Sequence, residues 1–413
     1  MLVDRFLDEL ARGTRPWPAT PLTVMTPPPE TADGDALVTD TGDRMTLLRL
    51  RGIRRMLTAD ETASGALTLR EGVAASLNKR GHALQVCYTY DPDRSGPAVR
   101  GHVDKTRRVA RALGLGIEEL LAERERVWTK ATAWEGTTVG VWSRSAALTR
   151  ETLREEKRAQ RECLQGAPDL RDCQPIWHAG GMLCTEHRGF VEAVRGALAR
   201  LGVDHVPLDP HDALTWSREA VYPETAGSGW RPALPGDNTM PRVPDRFVEE
   251  GSFFGRQDAS DLIWPRIPDQ LFSEDALRLN TRHVRIGGLD WACVDMERGP
   301  ETPRGFVELA ASMRRAGVPF RIAFLIEGAD ENLMRFKRVA ATMLAWASPG
   351  NRRIFEQLDT LERLRIAGDD IAVKLRVSLA TWAPAGEASL LRQRAAMLAS
   401  NLQAWGVCQA NSL

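Results

Sequence analysis

The sequence contains no Gly-Lys dipeptide, so it lacks the GxxxxGK[ST] loop whose amides and lysine cradle nucleotide phosphates. P-loop nucleotide hydrolysis is therefore excluded within these residues. Also missing are a GxSxG elbow, an HExxH helix and a GxGxxG turn after a strand. Serine-hydrolase, zincin and dinucleotide chemistry are thus left without their usual signatures. No apolar run approaches the roughly 20 residues a membrane-crossing helix needs. A net basic field is absent too: Lys plus Arg number 55, Asp plus Glu number 55, and nothing global recruits nucleic acid. Lysine is scarce beside arginine, a bias that GC-rich coding explains. The six cysteines (Cys87, Cys163, Cys173, Cys184, Cys293, Cys408) show no paired framework. The opening MLVDRFLDEL is acidic at once and reads as a short amphipathic helix, not a signal peptide. A cytoplasmic chain with reduced thiols is expected.

What is present is the composition of a globular protein, 43% hydrophobic and 27% charged over 413 residues. That length predicts two or three domains. Residues 1–33 hold the amphipathic helix and an extended arm rich in proline (Pro16, Pro18, Pro21, Pro27, Pro28, Pro29). Residues 34–170 read as a first α/β subdomain. It begins with a hairpin at 36–38 and 45–51, followed by a helix over 62–79 and a strong strand over 82–90. Helices over 102–113 and 117–130 come next, parted by Gly114 and Gly116, then a strand over 137–143 and a charged helix over 149–164. The mixed-sign charges of that last helix mark a solvated face.

Residues 171–283 are less regular. They carry a helix over 189–201, a strand over 203–208, a helix from Asp212, and a long stretch of low periodicity over 222–272. Loops of that length wrap a surface, contact a partner or are disordered. The indoles of Trp230 and Trp264 make them the candidate partner-surface residues there, the alternative being that they pin the loop to its own domain. Residues 284–413 read as a second α/β subdomain. Strands are expected at 284–286, 291–296 and 320–327, and helices at 302–316, 331–346 and 351–364. In its last unit Ile371, Val373, Leu375, Val377 and Leu379 alternate with Lys374, Arg376 and Ser378. Pro384 and Gly386 break the chain, a helix runs from Glu387, Gly406 stops it, and Val407-Cys408 begins another strand. The fold class expected is mixed α/β (α+β), in layered sheet-and-helix subdomains.

Three constellations could carry chemistry. Glu327 and Asp295 each end an apolar strand run, as the magnesium-linked acid of a P-loop enzyme does, and would serve a nucleotide site of another kind. Cys163, Cys173, His178, Cys184 and His187 fall close enough for zinc but lack a CxxC knuckle. His205 and His211 lie near Asp204, Asp209 and Asp212, where turn and capping chemistry explains them equally well. No residue earns a catalytic, cofactor-binding or metal assignment on this basis.

Four blocks carry a resemblance: WRPALPGDN (230–238), DLIWPRIPDQL (261–271), VRIGG (284–288) and the run from VKLRVSLATWAPAGEASLLRQRAA to WGVC (373–408). Together with the hairpin over 37–52, HALQVCYTYD, LGLGIEELLAERERVW and VGVWSR in the same order, they resemble the N-terminal portion of the IcmB/DotO proteins of type IVB secretion systems. The related TraU proteins of IncI-type conjugation are similar. The resemblance implies an assembly and docking region of a secretion or conjugation ATPase. It would self-associate, meet apparatus proteins, and sit peripherally at the cytoplasmic face of the inner membrane through them. ATP and magnesium would belong to a motor domain downstream, leaving this chain non-catalytic, without cofactor and without direct nucleic-acid contact.

Overall fold

Alternating apolar residues in strands far apart along the chain build one sheet. The computed structural model describes residues 35–39, 43–53, 55, 57–78, 80–163, 181–234, 267–272, 276–280, 282–300, 305–328, 356, 359–360, 363, 373–406 and 409–412. Its strands are β1 (Leu37–Val38), β2 (Arg44–Ile53), β3 (His82–Asp91), β4 (Trp134–Ser143), β5 (Val203–Pro207), β6 (Leu277–Arg278), β7 (His283–Ile286), β8 (Leu289–Arg298), β9 (Phe320–Gly328), β10 (Val373–Pro384) and β11 (Gln409–Ser412). They form an 11-stranded sheet ordered β1-β2-β4-β3-β9-β10-β8-β7-β6, with β5 paired to β2 and β11 to β8. The neighbours along it run antiparallel. The fold is mixed α/β of the α+β kind. Segments 34–170 and 284–413 share this sheet, because β3 pairs with β9 along its length.

Period two divides the sheet cleanly. Tyr88, Ile322, Leu379 and Val294 stand in one cross-strand row, and Thr89, Arg321, Ala380 and Cys293 in the adjacent row. Neighbouring rows face opposite sides. The apolar side is roofed by four helices: α1 (Ala59–Leu77), α5 (Gly181–Arg200), α8 (Phe306–Arg315) and α9 (Ala388–Trp405). Val73, Leu77, Phe190, Val194 and Ala197 pack on Leu48, Leu84, Val139 and Val141. Leu309, Met313, Leu398, Leu402 and Trp405 pack on Phe320, Ile322, Val377 and Leu379. The opposite side carries α6 (Pro210–Val221) and α7 (Ile267–Leu271), whose Ala213, Leu214, Ile267 and Leu271 bury Met45, Leu47, Trp142 and Leu325. A helical hairpin, α2 (Ser95–Ala112) and α3 (Glu118–Ala131), and the helix α4 (Arg150–Cys163) complete the described elements.

Local signals explain most boundaries. Thr58 and Glu61 close a reciprocal capping box at the start of α1, with Thr58 N–H donating to Glu61 Oε2 at 2.9 Å. Gly406 ends α9 at φ 101°, the left-handed conformation a side chain disfavours. Of the described helices, α2 and α5 begin furthest ahead of the starts that periodicity suggests, at Ser95 and Gly181. Gly189 does not start α5 but lies inside it, where a Cβ would meet nothing within 4 Å. A helix-interior glycine costs about 1 kcal/mol, and burial of Leu183, Phe190 and Val191 around it outweighs that. Of the stretch 222–272, residues 235–266 lie outside the described residues, and the rest includes α7 and the turn Pro223–Thr225. That turn is held to the β7–β8 hairpin, where Gly288 N–H donates to Glu224 Oε1 at 2.9 Å.

The arm and helix over 1–33 and the helix over 331–346 lie outside the described residues. Of the helix expected over 351–364, Glu356, Asp359, Thr360 and Arg363 are described, all helical.

Candidate functional site

Glu327 is the last residue but one of β9, where its apolar run stops, and it does not stand free for a metal. Arg144 Nη1 lies 2.8 Å from its Oε1 and Arg376 Nη2 lies 3.9 Å from its Oε2. Asp295 faces the neighbouring strand, accepting a hydrogen bond from Ser378 Oγ. The two acids belong to different strands, β9 and β8, with β10 between them. They are not brought together.

The cysteine–histidine group is only partly described: the side chain of Cys163, and Cys173 and His178 entirely, lie outside the described residues. His187 is buried on α5 with both ring nitrogens engaged, Nε2 with Thr46 Oγ1 at 2.9 Å and Nδ1 with Ser143 Oγ at 3.0 Å. It ties α5 to β2 and β4. Cys184, one turn earlier, accepts from Arg188 Nη2 at 3.7 Å. Among the described residues, no group of three or more His, Cys, Asp or Glu could hold a metal ion. Asp209 caps α6, accepting from Asp212 N–H at 2.8 Å, and His205 Nδ1 is bonded to the Val203 carbonyl at 3.0 Å. Capping and turn chemistry account for both.

Trp230 packs against the core beneath α6 and α7, with the Arg218 guanidinium 4.8 Å from its ring. It pins its segment to the fold. Trp264 lies outside the described residues.

The polar side of the sheet holds a buried arginine that pattern reading passed over. Arg321 donates from Nε to Thr89 Oγ1 at 3.0 Å and from Nη1 to the Ala220 carbonyl at 2.5 Å. The rings of Trp291 and Trp382 flank it, each 5.8 Å away. These hydrogen bonds and flanking rings hold its planar guanidinium in place. Arg321 thereby fastens α6 to the centre of the sheet. Cys87 and Cys293 share this side. Burial raises both thiols, Cys293 to about 11, with the nearby Asp295 charge adding to the effect. At pH 8 native Cys293 should therefore alkylate on the order of a hundredfold more slowly than in unfolded chain. Its rate should climb with pH towards 11. Site-resolved mass spectrometry of iodoacetamide-treated protein measures this, and equal labelling in native and urea-unfolded protein contradicts it.

The largest chemical asymmetry is on the α2–α3 hairpin. The two helices pack chiefly on each other, through Val99, Val103, Ala110 and Leu121, with Ile117 and Trp128 against them. Successive residues turn by about 100°. On that wheel Arg100, Arg107 and Arg111 fall to one flank of α2, and Glu118 and Glu125 to the matching flank of α3. They are joined there: Arg107 to Glu118 at 2.6 Å and Glu125 at 3.1 Å, Arg100 to Glu125 at 3.2 Å. Val109 and Leu113 fall to the other flank, and in antiparallel helices Leu120 and Val127 project to that same side. These four are 58%, 68%, 66% and 46% exposed. Beside them Trp128 is covered by the Arg124 guanidinium, 3.9 Å from its ring, and by His102 at 5.6 Å. The sequence carried the signal in apolar positions offset from the core stripe by about a quarter turn. Reading only helix existence there missed it.

Neither a scan against protein-family models nor a search of curated proteins finds a match to this chain.

Proposed function

We propose that this chain is an assembly and docking module, of the kind its sequence resembles in the N-terminal regions of type IVB secretion and conjugation ATPases. It self-associates and engages apparatus proteins, peripherally at the cytoplasmic face of the inner membrane, and leaves nucleotide hydrolysis to a motor domain. One observation carries this: the divided hairpin, with its charges paired on one flank and four large apolar side chains left to solvent on the other. Clustered exposed apolar surface is expensive unless it meets a partner. The ion-paired flank stiffens the hairpin without needing that surface. No described helix is long and apolar enough to cross a membrane.

Leu113→Glu with Leu120→Glu places two charges on the apolar flank while leaving Val99, Val103 and Leu121 untouched. Self-association, or capture of candidate apparatus proteins, should weaken about a hundredfold or more, with the melting temperature of the monomer unchanged. Light scattering across a dilution series and quantitative pull-down read the effect. Undiminished association would remove the hairpin from the interface. Micromolar binding of ATP with magnesium by this chain alone would overturn its non-catalytic assignment.

A further inference from the structure

The exposed side chains of the α2–α3 hairpin stand at fixed heights, and those heights match in pairs. Arg107 is bonded to both Glu118 and Glu125, so it stands level with the stretch of α3 midway between them. At about 1.5 Å per residue in each antiparallel helix, Val109 then lies level with Leu120, and Lys105 level with Glu123. The turn between the helices holds this register. Gly114, at φ +67°, closes α2: its N–H donates to the Arg111 carbonyl at 3.1 Å, and Leu115 N–H donates to the Ala110 carbonyl at 2.9 Å. On the wheel, Lys105 and Glu123 border the apolar flank, one at each rim. Both are exposed. Lys105 has no ion pair among the described residues, and Glu123 is held by Arg126 of its own helix at 2.6 and 2.8 Å. Arg124, between the apolar columns, lies back on the Trp128 ring towards the base of the hairpin.

Such a flank is its own complement. Turned half a revolution about an axis parallel to the helices, a second copy lays its α2 over this α3. Val109 of each copy then meets Leu120 of the other, and Leu113 closes towards the axis beside the turn. Lys105 of each copy reaches the rim that bears Glu123 of the other. An unrelated partner helix would need no such match of height between a base on one rim and an acid on the opposite rim. Exposed apolar area on the order of a few hundred Å² per copy places the contact among weak, transient interfaces.

We propose that the hairpin pairs with the hairpin of a second copy in this two-fold arrangement. The proposal rests on the reading of the flank as a docking surface and names its occupant. Sedimentation equilibrium of the full chain tests it, on wild type, K105E, E123K, an equimolar mixture of those two variants, and L113E/L120E. Wild type should dimerise in the micromolar range. K105E and E123K each set like charges against one another at both rims of a homodimer, and should weaken dimerisation about fivefold or more at low salt. Their mixture restores opposite charges at both rims and should return to within about twofold of wild type. No change in the folding of either chain can produce that recovery. Dimerisation lost in L113E/L120E but unchanged in K105E and E123K keeps the flank as a docking surface and overturns the two-fold pairing. Dimerisation unchanged in L113E/L120E overturns both. Wild type that stays monomeric at about 300 μM overturns the pairing; capture of apparatus proteins or of phosphatidylglycerol vesicles by that monomer, lost in L113E/L120E, would then assign the flank to another occupant.

Discussion

Replacing Phe320 by alanine is expected to cost about 3–5 kcal/mol of folding stability. Phe320 opens β9 and has 0% exposure. Its ring lies 5.5 Å from that of Tyr90, stacked, and 5.8 Å from that of Tyr88, tilted. Both tyrosines stand on β3, so the cluster sits on the seam where the two large sequence segments meet. Leu309, Met313, Leu379 and Leu398 belong to the same core, which strands and helices hold from both sides. Such a site collapses poorly, so truncation adds a cavity term to the lost transfer energy. Urea unfolding should show a lower midpoint with an unchanged slope. Phe320→Leu, which keeps most of the volume, should cost far less. Equal costs for the two variants would show that ring burial is not the source of the effect.

The second large effect is at Asp290. It is 1% exposed and paired across the β7–β8 hairpin with Arg285, whose Nε and Nη2 donate to its two oxygens at 2.6 and 3.0 Å. Gly386 N–H adds a third bond at 2.9 Å, so one carboxylate joins this hairpin to the turn before α9. Asp290→Ala removes both acceptor oxygens and all three bonds, and should cost about 2–3 kcal/mol. Loss of a fully buried pair costs more, but Arg285 remains about a third exposed and water can recover it.

The pair also sets an acid limit. The Arg285 hydrogen bonds, opposed by burial and helped by the Gly386 amide, hold the Asp290 carboxyl below its ordinary 3.8. The folded value is the lower one, so the stabilisation is complete above pH 3.8 and drains as pH falls through the folded value. Urea midpoints measured at pH 5 and pH 3 should converge between wild type and Asp290→Asn. A constant gap across that range would refute the linkage.

Much of the local fold was legible from residue order. Alternation in HALQVCYTY and FRIAFLIE located β3 and β9 nearly to the residue, because each strand packs one face on helices and leaves the other more polar. Gly406 and the residues before it located the end of α9 for a steric reason that needs no tertiary context. The start of α5 was less legible, because Gly189 mimics a boundary that packing of Phe190 overrides. Strand order was not legible at all. Nothing in the alternation of β3 names β9 as its neighbour, since any apolar face of similar length would match. The pairing of Glu327 with Arg144 was hidden for the same reason, since β9 and β4 meet at their ends only across β3. Glu327 drew notice as a lone acid after an apolar run, and its meaning changed when its arginine neighbours were known.

The β3–β9 seam also bears on how the chain comes to be folded. During synthesis β3 and β4 can pair as soon as they emerge, but β9 arrives only after the intervening middle of the chain. Until then β3 presents an unsatisfied edge carrying Leu84, Val86 and Tyr88, a template that a neighbouring nascent chain can occupy. Closure over so long a separation is slow relative to local pairing. Productive yield in a cell should therefore hinge on shielding that edge, and crowded expression should divert the protein into aggregates well before any weakness of the finished fold is felt.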